Sequence, residues 1–179
     1  DLCYTKGVRT MGGSAVFADN VPDFDAAVVT RLNNAGAVML GKLNLTEGAM
    51  GGYNPKLDIP ENPWADGHWA GQSSSGSGVA TAAGMAYGTL GSDTGGSIRY
   101  PAAACGTVGV KPTWGRVSRH GVMNLAESLD HVGPLTRSAA DSGIMLQAIA
   151  GYDPNDPTSL PHAVPAMTGT LDEGVRGIK

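Results

Sequence analysis

This chain has no basic run, no long apolar run and only two cysteines, and each shortage removes a class of function. Twelve Lys and Arg stand against sixteen Asp and Glu, a net charge of −4. The cations are scattered and not interleaved with aromatics, so direct nucleic-acid binding is not expected. No apolar stretch reaches the roughly 18 residues that a membrane-spanning helix needs. Cys3 and Cys105 lack metal-ligand spacing and read as the reduced thiols of a cytoplasmic protein. His68, His120, His131 and His162 are dispersed in the same way, so no metal site and no histidine catalyst is expected. No internal repeat is present.

What the chain does have is an apolar fraction of 41% with only 16% charged residues, the balance of a folded domain. Glycine is the outlier, at 27 of 179 residues, about twice the usual roughly 7%. These glycines sit in loops and beside serines, where backbone must turn sharply or approach a ligand. The chain opens on Asp1 and closes on a stretch, 174–179, with no terminating element. The expectation is a piece of a longer protein.

Local patterns indicate an α/β protein. Asp23 is placed to cap a helix over 26–32, with Gly36 just past its end. The apolar run 37–40 that follows reads as a buried strand, and the proline-bearing stretch 53–69 as an irregular loop. Further on come a helix at 77–86, a strand through Thr89 and Leu90 to Asp93, and a helix over 97–104 with Pro101 in its first turn. A buried strand is expected at 107–110. Ser138 with Asp141 resembles a capping box, and Ala140, Ile144 and Ala148 form the expected buried stripe of the helix it starts. After Gly151 the chain reads as loop.

The chemistry concentrates in two small-residue runs, GQSSSGSG at 71–78 and GSDTGGSIR at 91–99. Each is a turn that leads into a helix-like segment and so gathers backbone N–H groups, an arrangement suited to an anion or a developing oxyanion. Neither carries the spacing of a P-loop, a dinucleotide fingerprint or a nucleophile elbow. A Gly/Ser linker is the plain alternative. The flanking apolar sequence, with Asp93 and Arg99 on either side of Ser97, weighs against it.

From these residues the resemblance becomes specific. The run GSDTGGSIRYP at 91–101, Cys105-Gly106, GVKPT at 109–113, GRVS at 115–118, Ser128-Leu129-Asp130 and GPLTR at 133–137 resemble the signature of the amidase-signature family. The GKLN run at 41–44, Glu47 and the GAMG run at 48–51 are also similar. The resemblance covers nearly the whole chain. It implies a mixed central sheet covered by helices on both sides, incomplete here, with residues 1–179 forming part of one such domain. It also implies a Ser–cis-Ser–Lys triad that hydrolyses carboxamides without a cofactor or metal.

On that pattern Ser97 is the acyl-forming nucleophile and Ser73 the bridging serine after a cis bond, with Gln72 where many relatives carry glycine. Ser74, Ser75 and Ser77 are rivals within the cluster, and the pattern makes Ser74 the supporting neighbour of Ser73. Backbone N–H groups near Thr94, Gly95, Gly96 and Ser97 would hold the oxyanion, and Asp93 and Arg99 would support the loop. The family's lysine would stand just before Asp1, so Lys6 and Lys42 are read as loop-support residues and the piece is expected to be inactive alone. An ordinary lysine, pKa ~10.4, is protonated at neutral pH and becomes a base only where burial depresses it. The substrate implied is a small-molecule amide, with a homodimer kept open as the assembly. Two other readings stand beside the free amidase. One is the A subunit of a tRNA-dependent amidotransferase, from which the GGYNP run at 51–55 departs. The other is a non-catalytic binding relative, against which both serines argue.

Overall fold

The helix expected after residue 23 forms one residue late in a computed structural model that describes residues 1–177. This helix, α1 (Ala27–Asn34), has Ala26 at its N-cap position and no side-chain cap. Asp23 is therefore not the cap. It lies too far upstream, and the N–H groups of Ala26 and Ala27 donate instead to the carbonyls of Tyr4 and His120. Gly36 ends the helix as expected, at φ +82°. The run 37–40 is not a strand. No described strand pairs with it, and Val38 and Leu40 are 82% and 73% exposed.

Helix α2 (Ser75–Ala82) starts two residues earlier than expected and stops at Gly84, where φ is +72°. Strand β1 (Gly88–Asp93) leads through the 94–98 turn into α3 (Arg99–Cys105), whose third residue is Pro101. There, in the first turn, the missing N–H costs no helical bond. Strand β2 is shorter than expected, only Val108–Gly109, and half-buried. A strand that the sequence did not reveal, β3 (His131–Thr136), is the centre of the sheet, in the order β1-β3-β2. Both pairings are antiparallel.

Pro134 explains why β3 was hidden, because proline argues against a central strand. In a strand a residue's N–H and C=O point to the same edge, and the Pro134 carbonyl accepts from Val110, just past the end of β2. The missing N–H thus falls where the ladder has already ended.

Helix α4 (Ala139–Ile149) begins as expected, with Ser138 Oγ accepting from Asp141 N at 3.1 Å. Its buried face is different: Ser142, Leu146 and Ile149 point inward, while Ala140 is exposed, Ala148 half-buried and Ile144 61% exposed. Ser142 belongs inside because its hydroxyl bonds Thr136 Oγ1 at 2.6 Å. Successive β3 side chains alternate between two helical layers. Val132 packs with Val28, Val29, Leu146 and Ile149 of α1 and α4, and Leu135 packs with Ile98 and Ala102. Helices thus cover both faces of the sheet, as expected, and each fully buried aliphatic side chain contributes about 1.5–3 kcal/mol.

After α4 the described chain has no helix or strand, only an isolated bridge from Ala150 to Val117. Of the stretch 174–179, residues 178 and 179 lie outside the described residues. No helix among the described residues is long and apolar enough to cross a membrane.

Candidate active site

The two serine-bearing runs meet at the junction of α2, β1 and α3. Ser74 N donates to Ser97 O at 3.2 Å, which ties the start of α2 to the turn before α3. The peptide bond between Gln72 and Ser73 is cis, as the family pattern implies. Gly71, at φ +80°, lies so close to α3 that a Cβ there would stand 2.3 Å from Pro101 Cα. Only glycine fits that approach.

The hydroxyls of the cluster divide sharply. Ser74 Oγ accepts from Ser92 N at 3.1 Å and donates to Ser92 O at 3.2 Å. Ser75 Oγ receives Tyr53 OH at 2.7 Å, and Ser77 Oγ donates to Leu90 O at 2.7 Å. Ser73 is 1% exposed, and its Oγ has no hydrogen-bond partner among the described residues. A buried hydroxyl without a partner is unfavourable by about 1–3 kcal/mol, so it marks a place where another polar group belongs. The rivals Ser74, Ser75 and Ser77 are engaged in holding the fold.

The turn that carries Ser97 is organised by Asp93, which is fully buried. Its Oδ1 accepts from Gly96 N at 2.8 Å and from Arg99 Nη2 at 2.9 Å. Its Oδ2 accepts from Ile98 N at 3.1 Å, Arg99 N at 3.3 Å and Arg99 Nε at 3.0 Å. Burial pushes the Asp93 carboxyl up, but the Arg99 guanidinium and the N–H groups of Ile98 and Arg99 outweigh it and hold it below the ordinary carboxylate value. Asp93 and Arg99 form an ion pair across the turn.

Of the expected oxyanion donors, Gly96 differs, because its N–H already points at Asp93. The N–H groups of Thr94, Gly95 and Ser97 make no hydrogen bond among the described residues. Gly95 is exposed and Ser97 half-buried. Gly96 serves shape instead: at φ +136° it lies under the Tyr100 ring, where a Cβ would come within 2.4 Å of a ring carbon.

Lys42 supports a loop, as expected. Its Nζ donates to Cys3 O, to Thr10 Oγ1 at 3.1 Å and to Thr5 Oγ1 at 3.3 Å, and lies 3.6 Å from Asp1 Oδ1. Burial lowers its pKa and the Cys3 thiol opposes that shift. Lys6 is exposed. No described lysine is hydrogen-bonded to Ser73 or Ser97.

Sequence reasoning gave no role to Asp130 or His131, which lie opposite the Ser97 turn. His131 pairs with Asp93 in the ladder, and its Nδ1 donates to Asp93 O at 3.0 Å. Its Nε2 then accepts from Lys111 Nζ at 3.2 Å. Asp130 bonds the Thr94 hydroxyl. Their signal in the sequence is the Ser128-Leu129-Asp130 motif, which by itself states no contact.

The family model described as Amidase matches residues 1–179. The chain is 59% identical over 171 residues to AmiD of Mycobacterium bovis, a protein named as an amidase, covering 96% of this chain and 36% of that one. It is 51% identical to the A subunit of the glutamyl-tRNA(Gln) amidotransferase of Anaeromyxobacter dehalogenans, covering 100% of this chain and 37% of that one. The solved native peptide amidase of Stenotrophomonas maltophilia superposes with a TM-score of 0.89 at 44% identity, covering 94% of this chain and 37% of that one. The chain thus spans little more than a third of the length of these relatives.

Proposed function

Because the chain belongs to the amidase family, we propose that its protein hydrolyses a carboxamide to a carboxylic acid and ammonia or an amine through an acyl-enzyme on Ser97. Residues 1–179 are taken as part of one amidase-signature domain. The observation that carries this reading is the contrast among the serines. Among the described residues, Ser73 alone in its cluster holds a buried hydroxyl with no partner, and its neighbour Ser74 is bonded to Ser97.

Ser97 Oγ attacks the substrate carbonyl carbon while its proton passes to Ser73 Oγ, which gives its own proton to the lysine that the family pattern implies. The oxyanion that forms is held by the N–H groups left open in the turn, those of Thr94, Gly95 and Ser97, each contributing roughly 3–4 kcal/mol. Collapse of the tetrahedral species breaks the C–N bond, and the proton returns through Ser73 to the leaving nitrogen. That return is required because an unprotonated amide nitrogen is a very poor leaving group. Water then takes the place of the amine, and the same relay hydrolyses the ester on Ser97.

The substrate class is a small-molecule amide, and the reaction needs neither nucleic acid nor membrane. Two free cysteines fit a reducing cytoplasm. A homodimer is the assembly to test by light scattering. A serine-directed fluorophosphonate applied to the full-length protein is expected to label Ser97, read by peptide mapping. An adduct on any other serine overturns the assignment.

A second reading, the A subunit of a tRNA-dependent amidotransferase, has its own support in the 51% identity to one such protein over the whole chain. The GGYNP run at 51–55 favours the free amidase. Release of ammonia from simple amides by the purified protein, with no partner added, distinguishes the two.

A further inference from the structure

We propose that Asp130 is a positioning residue for the oxyanion site, acting through the hydroxyl of Thr94. The proposal rests on the reading of Ser97 as the nucleophile. The turn between β1 and α3 is anchored from inside by Asp93, which takes the N–H groups of Gly96, Ile98 and Arg99. Thr94 lies before that anchored stretch. Its N–H and that of Gly95 are open, and nothing in the Asp93 network holds them in direction. Among the described residues, the one side-chain bond that does is the Thr94 hydroxyl to Asp130 Oδ1.

Asp130 is itself held rigidly. It is 8% exposed and accepts Leu125 N at 2.8 Å and Ala126 N at 3.0 Å. The N–H groups of Leu129 and Asp130 return to Ala126 O at 2.9 Å. The buried Arg119 clamps the same turn from its other side, donating to Glu127 O and, at 2.9 Å, to Thr158 Oγ1. One residue on, His131 is bonded to Asp93 O. Consecutive residues of one strand start thus grip consecutive residues of the other, His131 on Asp93 and Asp130 on Thr94. A carboxylate that only closed the 125–130 turn would not need to reach across to Thr94. Since Thr94 follows the strand directly, rotation about its backbone would turn its N–H and that of Gly95 away from a common oxygen.

The test is carried out in the full-length enzyme with Thr94→Val, Thr94→Ser, Asp130→Ala and the double variant Thr94→Val/Asp130→Ala. Removing an oxyanion donor outright costs about 10²–10³-fold in kcat, so misdirecting one is expected to cost about 10–100-fold in Thr94→Val. KM is expected to stay within about twofold, the mark of an interaction made only in the transition state. Thr94→Ser keeps the hydroxyl and is expected to recover most of that rate. The double variant is expected to lose no more than the worse single one, because both remove the same bond.

Rates are counted per active site by fluorophosphonate titration, so a loss of folded protein does not imitate the effect. Additive losses in the double variant, or equal rates for Thr94→Val and Thr94→Ser, overturn the proposal. Failure of the wild-type enzyme to label at Ser97 overturns the underlying reading instead, and the two failures are read from different proteins.

Discussion

Replacing Asp93 by Asn in the full-length protein keeps the shape of the buried side chain and removes one acceptor. The carboxylate serves five donors, two at Oδ1 and three at Oδ2. An amide offers one oxygen, so one set of donors must face an NH2 group. The milder orientation strands the Gly96 N–H alone among the backbone donors, at about 1–3 kcal/mol. Loss of charge weakens the bonds that remain by about 1 kcal/mol, and the total is about 2–4 kcal/mol. The Arg99 side chain is half-exposed, so water takes over much of its share and it is left out of that sum.

The same substitution loosens the anchored half of the turn, from Gly96 to Arg99, which carries Ser97, so kcat is expected to fall by about 10²-fold or more. Urea unfolding and steady-state amide hydrolysis measure the two effects. Acid adds a third reading. The folded carboxyl titrates below its unfolded value of about 3.9, so its stabilisation is complete above that pH and is lost as pH falls through the folded value. The stabilities of wild type and variant should therefore converge on acidification. A variant within about 0.5 kcal/mol of wild type, the scale of an ordinary surface change, and with unaltered kcat refutes the account of the turn.

Two further substitutions separate catalysis from folding. Ser73→Ala removes a hydroxyl that makes no bond among the described residues, so stability should stay within about 0.5 kcal/mol while kcat drops by about 10²–10⁴-fold; turnover like wild type rejects Ser73 as the relay. Gly71→Ala places a Cβ 2.3 Å from Pro101 Cα at φ +80° and should destabilise by about 2–5 kcal/mol, from overpacking and the left-handed backbone together. Unfolding within about 1 kcal/mol of wild type would refute the close packing, since overpacking alone costs at least that much.

Elements with their own local signals were legible. The Ser138 cap with Asp141, Gly36 past α1 and Pro101 in the first turn of α3 each state a backbone conformation within a few residues. What failed depends on partners outside the element itself. The run 37–40 has the composition of a buried strand, yet composition does not supply a neighbouring edge. In α4 the apolar spacing of Ala140, Ile144 and Ala148 was genuine, but the buried face was chosen by a hydroxyl. Ser142 can be inside only because Thr136 is there to bond it, and that pairing exists only once β3 is built.

The site divides along the same line. Motif spacing brought Ser73 and Ser97 forward but left three rival hydroxyls beside Ser73, which no count of residues could dismiss. Their removal is a matter of partners: Ser92, Tyr53 and Leu90 occupy them, at separations of 13 to 22 residues. Likewise the glycine-rich turn was readable as a nest of N–H groups, but not which of them Asp93 takes. Position 96 is glycine for the Tyr100 ring above it, and its N–H belongs to the frame. A turn built this way uses one carboxylate to fix the half that must not move, leaving donors open on the other half, beside the nucleophile. Chemistry of that kind is specified by which polar groups stay unsatisfied, a property of the packed molecule that sequence spacing narrows without deciding.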